Sequence, residues 1–287
     1  MASNALQSKP MIQHKEAKLR ETLRSFRRIL IAYSGGVDSA YLLSVARAEL
    51  GDNAVAVIGV SPSLMAEELS EARDLAVQLG IPLREIETHE IDDANYAANP
   101  NNRCYFCKSH LFDALQIVAE REGFDAVCDG TNTDDMNEWR PGAQAGTERN
   151  IRSPLREADL NKAEIRELSR AANLPTWDKP AMPCLSSRIP YGTAVTREAL
   201  QMVGKTEGWL RERGIREVRV RHIDANGTLT ARIEAAPNEM AAVFALREEL
   251  APVAKAAGYD AVVLDLEGYR RGRLNDKIAP QPIALHF

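Results

Sequence analysis

Hydrophobic positions change their period several times along the chain, and each change predicts an element. Leu19, Leu23 and Phe26 recur at helical spacing among charged neighbours, which predicts a short amphipathic helix. The apolar run around Ile29 to Tyr33 predicts a buried strand, followed by a glycine turn, Ser34-Gly35-Gly36-Val37-Asp38-Ser39, and a helix through Ala40 to Ala46. The unit then repeats. Ala54 to Val60 is an uninterrupted apolar strand, and Leu69, Ala72, Ala76 and Leu79 form the buried stripe of a helix stopped by Gly80. Leu83 to Glu87 offers a third short strand; Leu111, Leu115 and Val118 share one helix face, and Phe124 to Cys128 is a β-prone run closed by Gly130. Helices alternating with continuous apolar strands predict an α/β fold around a parallel sheet covered on both faces.

Another helix opens at Asn161-Lys162-Ala163-Glu164-Ile165-Arg166 and ends near Asn173. The stretch Leu174 to Gly192 carries Pro175, Pro180, Pro183 and Pro190 and predicts an irregular seam. Beyond it come a helix (Arg197 to Arg213), a strand (Val218 to Ile223), an Asn226-Gly227 turn, a strand (Thr228 to Ile233), helical sequence and a last strand (Ala261 to Leu266). An Asn-Gly hairpin in such a mixture predicts a small α+β domain. The expected division is a larger domain over residues 1–190 and a smaller one over 191–287.

Composition narrows the classes. The 287 residues are 45% hydrophobic and 27% charged, which argues against disorder, and 36 Lys plus Arg against 41 Asp plus Glu leave a net charge of -5. That balance argues against a dedicated nucleic-acid partner. No apolar run approaches the roughly 20 residues of a membrane helix, and the N-terminal stretch lacks the apolar core of a secretory signal. The expected setting is the cytoplasm, without a membrane partner. Four cysteines (Cys104, Cys107, Cys128, Cys184) do not make a disulfide scaffold in a chain this long, so metal ligands, reactive thiols or core filler stay open for them. His14, His89, His110, His222 and His286 are scattered and form no ligand spacing.

The Ser34–Ser39 turn, between a buried strand and a helix, presents consecutive N–H groups and two hydroxyls at the positive end of the helix dipole, which suits a phosphate. Without a β-carbon, Gly35 and Gly36 let the phosphate approach the main chain. An ordinary glycine-rich turn is the plain alternative. Asp38 does not suit phosphate itself; Mg²⁺ ligation or helix capping fits it. Gly130 and Asn132 follow a strand's carboxyl end, which assigns them to a nucleotide pocket or to a plain turn. Lys162 either reaches phosphate or simply opens its helix.

Cys104 and Cys107 form a C-x-x-C pair just before a helix, where two thiolates can converge on one metal. Cys184 stands in the proline-rich seam. Three ligands are one short of a closed structural zinc site, whereas a cluster held by three cysteines keeps one iron open. A redox pair or half a zinc site remains the alternative for the pair. Cys128, inside an apolar run, reads as a packed core thiol.

The Ser-Gly-Gly-Val-Asp-Ser string resembles the PP-loop of the ATP pyrophosphatases, and no Gly-Lys-Ser/Thr of a Walker loop follows it. The resemblance implies a doubly wound sheet of the adenine nucleotide α-hydrolase type, with ATP cleaved between its α and β phosphates. Ser34, Gly35, Gly36 and Ser39 would hold the leaving pyrophosphate and Asp38 would hold Mg²⁺ as a catalytic residue. Together with Asp129-Gly130-Thr131-Asn132-Thr133-Asp134-Asp135, Arg140-Pro141-Gly142, Ser153-Pro154-Leu155 and Cys184-Leu185-Ser186-Ser187-Arg188-Ile189-Pro190-Tyr191-Gly192, it resembles the LarE-type ATP-dependent sulfur transferases from about Leu19 to Leu274.

That resemblance implies adenylation of the carboxylates of pyridinium-3,5-biscarboxylic acid mononucleotide and their conversion to thiocarboxylates, in synthesis of the nickel-pincer nucleotide cofactor. Family members either give up the sulfur of the cysteine matching Cys184 or, with cysteines matching Cys104 and Cys107 as well, use a [4Fe-4S] cluster. The three cysteines here favour the cluster version. The resemblance also places the substrate phosphate near Arg219 and Arg221, adds Glu207 and Arg188 as substrate residues, and implies a homo-oligomer, a hexamer in similar proteins. Arg211, Arg213 and Arg216 are equally well read as a solvated basic face. The competing functions are tRNA 2-thiolation by the same chemistry and a non-catalytic, zinc-stabilised nucleotide-binding module.

Overall fold

The computed structural model describes residues 2–137, 141–270 and 272–273. Arg140 and His286 lie outside the described residues. The chain divides into two compact units, residues 1–90 with 102–182, and residues 91–101 with 183–287.

The first unit is built on four parallel strands, β1 (Ile29–Ala32), β2 (Ala54–Val60), β3 (Leu83–Glu87) and β4 (Ala126–Cys128), in the order β3-β2-β1-β4. Strand alternation sends neighbouring residues to opposite faces. Ile29 and Ile31 therefore enter a core with Leu19 and Leu23 of α1 (Ala2–Arg24), Leu42 of α2 (Val37–Leu50), Leu75 of α3 (Ala66–Gln78) and Ile165 of α8 (Lys162–Ala171). Leu30 and Ala32 enter a second core with Phe112, Leu115 and Ala119 of α5 (Arg103–Glu122) and Ala145 of α6 (Pro141–Glu148). Both faces of the sheet are thus covered, as continuous apolar strands require. The first helix is far longer than the short one expected, because Ile12, seven residues ahead of Leu19, extends the same buried stripe.

The second unit centres on three strands. β5 (Val218–Ala225) pairs antiparallel with β6 (Thr228–Ala235), which pairs parallel with β7 (Ala261–Leu264). Asn226 and Gly227 both have positive φ, 55° and 86°, which matches the twist of a two-residue hairpin turn. Helix α9 (Arg197–Glu212) begins where the Thr196 hydroxyl accepts the Ala199 N–H, and it buries Leu200, Val203 and Leu210.

Residues 91–101, which carry α4 (Ala94–Ala97), also belong to this unit. Asn99, fully buried with a φ of 54°, donates its carboxamide to the carbonyls of Ile189 (3.3 Å), Pro190 (2.8 Å) and Thr193 (2.9 Å) and accepts from Gly192 N. The remaining helices are α7 (Pro154–Glu157), α10 (Met240–Ala245) and α11 (Arg247–Ala257). No helix among the described residues is long and apolar enough to cross a membrane.

Leu115 is fully buried on α5 while Ile117 on the same helix is 56% exposed. Leu115→Ala is expected to cost about 2–5 kcal/mol, transfer plus cavity, and Ile117→Ala no more than about 0.5 kcal/mol. Urea denaturation of both variants checks this, and equal losses would contradict the placement of α5.

Candidate functional site

The loop after β1 and the loop after β4 meet at the carboxyl ends of adjacent strands. Gly35 takes a φ of 69°, and Gly36 is the N-cap of α2 with no side chain capping it, so the first N–H groups of the helix lack a side-chain cap. The Ser34 and Ser39 hydroxyls lie 3.0 Å apart, and Ser39 Oγ also accepts the Ser34 N–H (3.2 Å). A β-carbon on Gly130 would sit 2.9 Å from Ser39 N and 3.1 Å from Ser39 Cα, so only glycine lets the β4 loop come this close to α2. Asn132 is buried behind it, its N–H donating to Asp135 (3.0 Å) and its side-chain oxygen accepting from Asp134 N (3.0 Å).

Asp38 is split between two environments. Oδ2 receives the Lys162 ammonium, whereas Oδ1 is buried with no hydrogen-bond partner among the described residues. A buried carboxylate oxygen without a donor is costly and suits a cation, so the arrangement fits Mg²⁺ ligation, and capping of α2 does not occupy Asp38. Lys162 opens its helix, and its ammonium pairs with Asp38. At the start of α8 its N–H donates to Asp134 (2.8 Å), so that Asp38 in the glycine turn is tied to the opening of that helix. A second ammonium went unseen in the sequence: Lys179 donates to Gly35 O (3.2 Å) and pairs with Glu71 (2.7 Å).

In the second unit Cys184 is the N-cap of a short 3₁₀ turn, Leu185–Arg188, and is partly exposed. Arg188 is fully buried, with Nε donating to Glu207 (2.9 Å), Nη2 also on Glu207, and Nη1 on the carbonyls of Pro183 and Cys184 and on Ser187 Oγ. Glu207 also accepts from Arg211 (2.9 Å) and Val220 N (3.1 Å) and lies 4.0 Å from Arg219. Burial alone would raise its carboxyl pKa, but the charges of Arg188, Arg211 and Arg219 outweigh that and hold it at about 2.

Cross-strand register sets Arg219 opposite Glu234 and Arg221 opposite Arg232, so all four project to one face of the hairpin. Arg221 pairs with Glu234 (2.8 Å) and donates to Ser187 O (2.7 Å); Arg219 donates to Val218 O and stacks on Tyr269 at 4.8 Å. Burial, then the neighbouring Arg188 charge, pulls the Arg219 pKa below its usual value.

No family model matches the chain. It is 34% identical, over 94% of its length and 97% of the relative's, to a pyridinium-3,5-bisthiocarboxylic acid mononucleotide synthase of Lactiplantibacillus plantarum. The chain is a member of the LarE-type sulfur transferase family. Uncharacterized proteins of Synechocystis (48% identical over 92% of this chain and 98% of the relative) and of Methanocaldococcus jannaschii (31% over 88% and 94%) are also similar to it.

In this LarE-type chain the structure brings Ser34, Gly35, Gly36, Asp38, Ser39, Gly130 and Asn132 together in the first unit, and Arg188, Glu207, Arg219 and Arg221 around the Cys184 loop in the second. Cys104 and Cys107 belong to the first unit and lie within the opening turn of α5 rather than before it, one helical turn apart. Among the described residues no group of three or more His, Cys, Asp or Glu side chains is set to hold a metal ion, and no disulfide joins the cysteines. Cys128 is fully buried and burial pushes its thiol pKa up, which fits the core role read for it. Of the basic residues weighed as a solvated face, Arg211 instead joins the buried cluster, while Arg213 and Arg216 are exposed. Glu234 escaped the reading, although its alternation with Arg232 on β6, opposite Arg219 and Arg221, was the available signal.

Gly130→Ala is expected to destabilise by about 1–3 kcal/mol through overpacking against Ser39. Gly36→Ala, whose β-carbon would meet only Ser34 Oγ at 3.4 Å, is expected to cost less. Thermal melts rank the two, and the reverse order would contradict the close approach. Because the Glu207 pKa is depressed, its contribution to stability is full above the ordinary carboxyl pKa and is lost as pH falls toward about 2. Glu207→Gln is therefore expected to flatten the fall in denaturation free energy between about pH 4.3 and 2. An unchanged slope would show that Glu207 is not the titrating group.

Proposed function

We propose that this chain adenylates the carboxylates of pyridinium-3,5-biscarboxylic acid mononucleotide with ATP and replaces AMP by sulfur, giving thiocarboxylates for the nickel-pincer nucleotide cofactor. The observation that carries the reading is the match, over nearly the whole length of both chains, to the synthase named for that product. The fold is read as a doubly wound PP-loop domain followed by a smaller α+β substrate domain. The site geometry of each unit supports its half of the chemistry.

In the first unit the start of α2, which has no side-chain cap, suits with Ser34 and Ser39 the β and γ phosphates of ATP, and Gly130 and Asn132 are assigned to the adenylate side. Asp38, with its unsatisfied oxygen, would hold Mg²⁺, which neutralises phosphate charge. A substrate carboxylate oxygen attacks the α phosphorus and pyrophosphate leaves. The acyl carbon then loses AMP to a sulfur nucleophile, so the oxygen departs on AMP and sulfur takes its place.

In the second unit, among the described residues, six arginines (Arg188, Arg211, Arg219, Arg221, Arg232, Arg273) are linked with four carboxylates (Glu207, Glu234, Asp265, Glu267). Arg219 and Arg221, on one face of β5, are the guanidiniums assigned to the substrate phosphate. Cys184, on the loop that Arg188 and Arg221 hold, is the residue assigned to sulfur delivery. A [4Fe-4S] cluster with Cys104, Cys107 and Cys184 as its ligands enters the proposal from the family resemblance alone, since no three such side chains are gathered among the described residues. When bound, such a cluster would supply an iron position for an exogenous sulfur ligand. The setting proposed is the cytoplasm, where thiols stay reduced, and the assembly a homo-oligomer, as a hexamer.

Anaerobically reconstituted protein given ATP, Mg²⁺, sulfide and the dicarboxylate mononucleotide is expected to release AMP and yield product with sulfur in place of oxygen by mass. Cys184→Ser is expected to abolish the product. Absence of thiocarboxylate from both reconstituted and as-isolated protein would overturn the proposal, and thiolated tRNA in its stead would favour the other substrate class.

A further inference from the structure

We propose that the buried Arg188–Glu207 pair is a clasp that positions the Cys184 thiol, a role that rests on the reading of Cys184 as the sulfur-delivering residue. Arg188 has no solvent exposure, and each of its three nitrogens bonds within the unit. One edge of the guanidinium grips Glu207; the remaining nitrogen, Nη1, grips the backbone on either side of the Pro183–Cys184 bond together with Ser187 Oγ. Arg221 holds the same loop through Ser187 O (2.7 Å), and Tyr96 holds it through Ser186 Oγ (2.6 Å). The backbone of the loop is thus fixed from three sides while Cys184 itself stays partly exposed.

Glu207 carries the restraint onward. It accepts the Val220 N–H (3.1 Å), and Val220 stands between Arg219 and Arg221 on β5. One carboxylate therefore ties the thiol loop to the strand assigned to substrate phosphate, so the two cannot slide independently. A buried ion pair is a poor source of net stability, since desolvation offsets most of the attraction. What it provides is a planar, bidentate geometry that an ammonium cannot reproduce. Sulfur transfer needs that geometry, because displacement of a reacting group by an ångström costs about a hundredfold in rate.

The test uses the full-length protein and Arg188→Lys, which keeps the charge and loses the fork. In apo protein, peptide-resolved alkylation by iodoacetamide should speed up severalfold at Cys184 while Cys104 is unchanged. In turnover, thiocarboxylate formed per AMP released should fall by up to about a hundredfold, with the KM for ATP unaltered. A merely structural role would lower the melting temperature and move both cysteines together. Wild-type alkylation at Cys184 in a folded Arg188→Lys protein would overturn the clasp whatever the turnover. If wild-type protein makes no thiocarboxylate, the functional reading fails, and the alkylation contrast still decides the clasp. Should the variant not fold, native-state hydrogen exchange on the wild type decides it. The Ser187 N–H, which donates to Cys184 O (2.9 Å), should exchange only with opening of the whole unit, and fast local exchange would overturn the proposal.

Discussion

Ser39 and the β4 loop approach until no β-carbon fits between them, and the arrangement of the loops in the first unit depends on that closeness. Parallel pairing of β1 with both β2 and β4 puts the two loop-bearing strand ends side by side. Gly130 then lets the loop with Asn132 lie against the open end of α2. Beside it Asp38 has the Lys162 ammonium on one oxygen and, among the described residues, no hydrogen-bond partner on the other. Strand order sets the two loops side by side, and Gly130 allows their close approach.

The second unit solves a different problem, that of fixing a thiol-bearing loop rich in proline and poor in regular hydrogen bonds. Its answer is charge held out of water. Glu207 stabilises three guanidiniums, and those guanidiniums in turn keep it ionised despite burial. The segment 91–101 adds neutral support through Tyr96 and Asn99. Since that segment leads directly into Arg103 and Cys104, the chain that braces one cysteine loop continues into the other cysteine-bearing stretch.

Much of this was legible in the sequence because local burial leaves a periodic trace. The continuous apolar runs of β1 and β2, the stripe of α3 and the Asn226-Gly227 turn each declare themselves within ten residues or so. The Ser34–Ser39 turn was legible as a strand-to-helix turn because its glycines and hydroxyls lie within six residues of one another. Long-range partners leave no such trace. Nothing around Lys179 indicates that its ammonium reaches Gly35, and Asn99 looks like a loop residue until its carboxamide is seen holding three carbonyls. The motif around Arg188 does not show that its nitrogens bond Glu207 and the Cys184 loop, because Glu207 stands nineteen residues further on, in α9.

The account requires that the carboxyl oxygen lost by the substrate leave on AMP. A mononucleotide labelled with heavy oxygen in its carboxylates, taken through one turnover in ordinary water, tests this directly. The account predicts one labelled oxygen on the phosphate of each AMP for every sulfur gained. Sulfur gained with unlabelled AMP would mean that the oxygen is removed by another route, and would contradict it.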